Sequence, residues 1–159
     1  MSEVLSHLDK DGRATMVDVS EKTVTKRTAI ARSIVSLPDE VLAQLIYGEL
    51  QTKKGSVFQI AIIAGIMAAK KTGDLIPLCH PLGLDNCNIT INLNKNNEVI
   101  IDCTASITAK TGVEMEALVG ASMAALTVYD MCKALSHDII IKETKLIAKT
   151  GGKRDFNRA

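Results

Sequence analysis

From Thr28 to Val35 the side chains alternate, with Ile30, Arg32 and Ile34 on one side and Ala29, Ala31, Ser33 and Val35 on the other. A period of two predicts a strand. Ser36-Leu37-Pro38-Asp39-Glu40 then reads as a helix start, with proline and two acids in the first turn and an apolar stripe of Val41, Leu42, Leu45 and Ile46. Lys53-Lys54-Gly55-Ser56 ends that helix, and Ser56 is placed to cap a second one running to about Lys71. Two alternating runs follow: Cys87, Ile89, Ile91 and Leu93, then Val99, Ile101, Cys103, Ala105 and Ile107. Asn94 to Asn97 turn between them, which predicts a hairpin. A long helix is expected from about Val113 to Leu135 and a last strand from Ile139 to Ala148. With one of the first two helices treated as an insertion, this is an α/β (α+β) chain in the ferredoxin-like order β-α-β-β-α-β. The whole of 1–159 is expected to be a single domain, with 1–13 flexible at one end and a flexible Gly/Lys-rich tail over 150–159.

Neither Val57 to Ala69 nor Ala117 to Tyr129 contains a charge. A helix apolar all round asks to be buried all round, yet a two-layer domain covers one face of each helix. The expected cover is a second subunit, with Gly120, Ala121, Ser122, Ala124 and Ala125 allowing close approach.

Composition narrows the classes of function. The hydrophobic set is 47%, charged residues are 23%, and the net charge is +1, so no global field recruits nucleic acid or an anionic membrane. The aromatic residues are Tyr47, Tyr129, Phe58 and Phe156, too few to stack bases as an RNA-binding sheet does. Cys79, Cys87, Cys103 and Cys132 are scattered and read as reduced, mostly buried thiols. The N-terminus lacks the regions of a signal peptide, and the longest apolar stretch is too short for a bilayer, so the expected location is cytoplasmic.

Candidate chemistry lies in five places. Asp130 and Lys133 continue the helical line of Met115, Val119, Met123 and Leu126, and at i, i+3 they can pair. An ordinary helix-end ion pair would look the same. Glu114 and Glu116 fall in the first turn of that helix and point to different sides. His80 sits in an extended loop between Cys79 and Pro81, where it can donate, accept or shuttle a proton. The C-terminal stretch carries Lys142, Lys145, Lys149, Lys153 and Arg154 around Gly151-Gly152, and Lys53-Lys54-Gly55 is a second local basic site. Both read as anion sites or as solvated basic surface. With one well-placed histidine and no Cys/His spacing, no metal site is expected.

In order along the chain stand Met16-Val17-Asp18-Val19-Ser20, Ala64-Gly65-Ile66-Met67-Ala68-Ala69-Lys70, Leu75-Ile76-Pro77-Leu78-Cys79-His80-Pro81-Leu82, Lys110-Thr111-Gly112-Val113-Glu114-Met115-Glu116-Ala117-Leu118 and Ala125-Leu126-Thr127-Val128-Tyr129-Asp130-Met131-Cys132-Lys133-Ala134. Together these resemble the cyclic pyranopterin monophosphate synthase family, often called the MoaC family, over nearly the whole chain. The resemblance implies a ferredoxin-like fold in a homo-oligomer, a hexamer built as a trimer of dimers, with the active site at a subunit interface. It implies conversion of 3′,8-cyclo-7,8-dihydro-GTP, a small GTP-derived substrate, to cyclic pyranopterin monophosphate, releasing pyrophosphate in molybdenum cofactor biosynthesis. Carried onto this sequence, Asp130 is the acid/base; Lys54, Lys133 and Lys149 are the essential lysines, and His80 joins them in the chemistry. Leu78, Cys79, His80, Glu114, Met115 and Glu116 line the substrate pocket. No cofactor is implied with certainty, and Mg²⁺ accompanying the triphosphate is left open. The tail departs from the family's usual Lys-Ser-Gly-Gly-Lys-Ser-Gly-Asp-Phe, because Lys149-Thr150-Gly151-Gly152-Lys153 runs straight to Arg154-Asp155-Phe156. The rival readings are a non-catalytic nucleotide-binding module on the same fold and an RNA-binding module.

Overall fold

The computed structural model describes residues 5–158. Its first long strand, β1 (Thr25–Ser36), turns Ala29, Ala31, Ser33 and Val35 inward and leaves Ile30, Arg32 and Ile34 on the opposite face. The alternation read from the sequence is therefore the pleat. β1 lies between β6 (Glu98–Ala109) and β7 (Ile140–Thr150), antiparallel to both, and β5 (Asn86–Leu93) pairs with the outer side of β6. With β8 (Phe156–Asn157) the sheet order is β5-β6-β1-β7-β8. Two helices, α2 (Val57–Lys70) and α4 (Glu114–Cys132), pack side by side over the inward face. Leaving out β8 and the elements inserted before α2, the chain runs β-α-β-β-α-β with the ferredoxin-like strand order. On the other face Arg32 and Asp102, opposite each other in register, form a bidentate pair at 2.7 and 2.8 Å.

The helices are held close by small residues. The expectation that Gly120 and its neighbours serve approach by a second subunit is revised: Gly120, Ala121, Ala124 and Ala125 are buried within the chain. A Cβ on Gly65 would lie 2.7 Å from the Gly120 carbonyl oxygen, and one on Gly120 would lie 2.6 Å from Cys103 Sγ. Neither leaves room for a methyl group. The larger side chains point away from the sheet, so Ile63, Met67 and Leu126 are 58%, 50% and 52% exposed.

The first expected helix is corrected. Only α1 (Asp39–Leu42) is helical, after which β2 (Leu45–Ile46), β3 (Glu49–Thr52) and β4 (Gly55–Ser56) make a small separate sheet. Tyr47 and Gly48, at φ 50° and 74°, form the two-residue turn between β2 and β3. Positive φ at both positions is the backbone twist a tight hairpin needs. Lys53 and Lys54 form the next two-residue turn, between β3 and β4. The expected Ser56 cap is also absent. Glu49 takes its place, its carboxylate accepting from the backbone N–H groups of Phe58 at 2.8 Å and Gln59 at 3.3 Å. That bond satisfies orphan donors of α2 and ties the hairpin to the helix start. A further short helix, α3 (Thr72–Leu75), leads into the loop of Pro77 to Pro81.

Both terminal segments, expected to be loose, make backbone contacts in their described residues. Of 1–13, residues 5–13 are described; Leu8 bridges Ala14, and Asp9 Oδ1 accepts from the N–H groups of Asp11 and Arg13, both at 2.9 Å. The tail folds back after β7 through Gly151 and pairs β8 against Ala148 and Lys149. Gly151 has φ 86°, and a Cβ there would lie 1.9 Å from the Lys26 carbonyl oxygen, so only glycine makes this turn.

Candidate active site

At the N-terminal end of α4 a cavity of about 370 Å³ opens between the start of β1, the Leu78–His80 loop, the first turn of α4 and the end of β7. Its wall holds Leu78, Cys79, His80, Glu114, Met115, Glu116 and Lys149, all of them expected from the sequence. Each is positioned by a distinct element. The proline-bounded loop was expected to run extended, but it turns at Pro77 and Leu78, with the Cys79 N–H donating to the Ile76 carbonyl at 3.1 Å, and His80 Nε2 lies 2.7 Å from the Val17 carbonyl oxygen. Because a carbonyl only accepts, Nε2 carries the proton in that bond and Nδ1 is the second nitrogen left for chemistry. Lys149, at the end of β7, pairs with Glu114 at 3.0 Å. Among the described residues Glu116 is the one buried acid, at 3% exposure, and burial followed by the charge of Glu114 pushes its carboxyl above the usual range. Burial, and then Glu116, also pushes the Cys79 thiol up.

Sequence reasoning missed part of this wall. Ser6, His7, Lys22 and Arg27 also line it, beside Lys153 of the basic C-terminal stretch already singled out. His7 was expected in a loose terminus and Arg27 passes for a strand's polar face. Arg27 is fixed by donating Nε–H to the Ala109 carbonyl at 3.2 Å. The glycine turn at the tail carries Gly152 and Lys153 to the cavity although the tail is a residue shorter than the family pattern. Lys22, Arg27, Lys149 and Lys153 make the wall cationic, which suits a polyphosphate.

Asp130, Lys133 and Lys54 are brought together elsewhere. Lys133 Nζ lies 2.9 Å from Asp130 Oδ1, and Lys54 Nζ lies 3.7 Å from Oδ2. The i, i+3 pair was legible on the helix; Lys54, expected as part of a local basic site and as an essential lysine by the resemblance, arrives on the second hairpin turn, where the sequence had suggested a helix break. Lys133, by hydrogen bond and charge, and then Lys54 hold the Asp130 carboxyl below its usual range, and Asp130 in turn raises Lys133. All three side chains are about half exposed, so the pairing adds little to stability. Asp130 is fourteen residues beyond Glu116 on the same helix, a separation of about 20 Å at 1.5 Å per residue. None of the three lines the cavity. One chain thus carries two separate clusters of candidate residues at opposite ends of α4.

Among the described residues no group of three or more His, Cys, Asp and Glu side chains is arranged to hold a metal ion. No helix there is long and apolar enough to cross a membrane.

Residues 16–152 match the model of the MoaC family. The chain belongs to the MoaC family. A cyclic pyranopterin monophosphate synthase of Xanthomonas axonopodis pv. citri is 54% identical over 155 residues, covering 98% of this chain and 94% of that protein. One of Brevibacillus brevis is 50% identical over 159 residues, covering 99% and 98%. The molybdenum cofactor biosynthesis protein 1 of Dictyostelium discoideum is 51% identical over 165 residues; the match takes in 93% of this chain but 26% of that longer protein. A MoaC chain is thus similar both to single-function bacterial synthases and to part of a larger protein.

Proposed function

We propose that this MoaC chain catalyses the reaction for which its bacterial relatives are named, using an active site completed by a second copy of itself. It is a lyase of molybdenum cofactor biosynthesis, acting on a small pterin precursor, 3′,8-cyclo-7,8-dihydro-GTP, and releasing pyrophosphate as cyclic pyranopterin monophosphate forms. The observation that carries the reading is the separation of the two half-sites: a cationic cavity with a buried acid at one end of α4, and an Asp130 carboxylate held by two lysines at the other.

Opening and reclosing the purine-derived ring moves protons, and two carboxyl groups with opposite environments suit the two directions of transfer. Asp130, kept ionised by Lys133 and Lys54, serves as the base. Glu116, whose carboxyl burial pushes above the usual range, serves as the donor facing the cavity, with His80 relaying through Nδ1. Closing the cyclic phosphate expels pyrophosphate, and Lys149, Arg27 and Lys153 stabilise the charge that gathers on it. Leu78, Cys79 and Met115 hold the flat face of the pterin.

A site split over about 20 Å in one chain works when a neighbour presents its Asp130 end to this cavity. Ile63, Met67 and Leu126 on the outer faces of the helices, left uncovered in the single chain, supply apolar contact area for assembly into the homo-hexamer of the cytoplasm. Feeding the cyclised dihydro-GTP to the purified chain and following pyrophosphate tests the activity. Binding without pyrophosphate release would make the protein a nucleotide-binding module instead.

A further inference from the structure

Two cysteines that the proposed chemistry does not use stand together at the edge of the sheet. The register sets Cys87 opposite Ala105 and Ile89 opposite Cys103, so the thiols are diagonal neighbours across β5 and β6 on the face covered by the helices. Their Sγ atoms are 3.8 Å apart. β5 is the outer strand, and Cys87 is half-buried, whereas Cys103 is fully buried beneath Gly120 of α4. Neither lines the cavity.

We propose that Cys87 and Cys103 form a reversible oxidation site, reduced to two thiols or closed to a disulfide by a peroxide-class oxidant. Cys87 is the attacking sulfur: the hydrogen bond from Cys103 and, secondarily, the charge of Lys70 favour its thiolate. The bond to Cys87 and burial keep Cys103 protonated, and burial pushes Cys132 up to about 11. Thiolate character therefore selects Cys87 over the other buried thiols. The Cys87 thiolate attacks one peroxide oxygen, the O–O bond breaks, and hydroxide leaves a sulfenic acid on Cys87. Cys103 then gives up its proton and attacks Cys87 Sγ; the S–O bond breaks and the oxygen leaves as water. Two thiols and one hydrogen peroxide yield one disulfide and two waters, two electrons passing from sulfur to peroxide. Diagonal neighbours are spaced wider than directly opposed residues, so this disulfide is strained and easily reduced. Closing it draws Cys103 from under Gly120 and shifts α4, which carries both half-sites; that consequence rests on the function proposed above.

The test treats the intact protein with hydrogen peroxide and maps its thiols by non-reducing peptide mass spectrometry, with turnover measured in parallel. The expected first product is a peptide pair linked through Cys87 and Cys103, removed by dithiothreitol, with turnover falling and returning in step. Cys87→Ser blocks the link at the less buried sulfur and leaves Cys103 in place under α4, and its turnover resists the same treatment. Cys103→Ala instead accumulates a dimedone-trapped sulfenic acid at Cys87. Oxidation of Cys79 or Cys132 ahead of the pair, or over-oxidation of Cys87 with no link, overturns the proposal. A link that leaves turnover unchanged overturns the coupling to α4. Because the thiol map needs no activity, a protein without synthase activity would still decide the oxidation site.

Discussion

Lys133 and Lys54 hold the Asp130 carboxyl below its usual range, whereas burial lifts that of Glu116 on the same helix. Different consequences follow for the two. Asp130 is half exposed, so Asp130→Asn keeps the fold while turnover falls by about 10²- to 10⁴-fold, the worth of a positioned base. Full turnover in a folded Asp130→Asn variant, measured by pyrophosphate release, would remove Asp130 from the chemistry. Glu116 works against stability when it ionises. Its raised folded pKa means its favourable state is fully present below the ordinary carboxylate pKa and is lost as pH rises through the folded value. Glu116→Gln therefore unfolds like the parent near about pH 4 and at a higher temperature than the parent near about pH 8. Thermal melts at the two pH values show the crossover, and parallel curves would mean that Glu116 is already solvated. At this scale the sequence exposes what is local: Asp130 with Lys133, Glu114 with Glu116, Cys79 with His80. Lys54 beside Asp130 and Arg27 in the cavity wall depend on chain segments meeting in space, and no spacing announces them.

The crossing of α2 and α4 is set by what is missing from two positions. Gly65 and Gly120 let the helices touch nearly backbone to backbone above Cys103. A methyl group at Gly120 has nowhere to go, so Gly120→Ala lowers unfolding stability by about 1–3 kcal/mol, the usual cost of overpacking a core. Adding Cys103→Ala opens space at that contact, and the double variant is less destabilised than the two changes summed. Denaturant titrations of the set test this; strict additivity would mean that the sulfur is not what the methyl meets. Long elements were legible because their periods are long: β1, β5, β6 and α4 each repeat their pattern through several turns or pleats. The stretch from Pro38 to Ser56 was not, since Val41, Leu42, Leu45 and Ile46 fit helical spacing as well as they fit a turn of helix followed by a strand. Tyr47-Gly48 was the overlooked signal, a glycine in the second position of a tight turn. Glu49 replaced Ser56 as the cap of α2 because the hairpin so formed brings its carboxylate to the helix start.

In the whole molecule, α4 separates the two clusters of candidate residues by about 20 Å, and in the proposed function they serve one substrate only when they come from different copies. Leu126, exposed on the apolar outer face, fits the same proposal, in which assembly covers it. Leu126→Glu is expected to leave the chain folded while shifting it to smaller species and lowering turnover, read by sedimentation and pyrophosphate release together. An unchanged oligomer would move the interface off the helix layer. The charge-free helices pointed toward a subunit contact from the sequence alone, but they could not show that the expected site residues divide between the ends of α4. The decisive measurement mixes two variants that are each inactive, Asp130→Asn and Lys149→Ala, allows subunits to exchange, and follows pyrophosphate. If the half-sites come from different copies, mixed pairs rebuild one intact site, and turnover rises to about a quarter of the parent's for random pairing in a two-fold assembly. A mixture whose subunits have exchanged but which stays as inactive as its components would contradict the shared site.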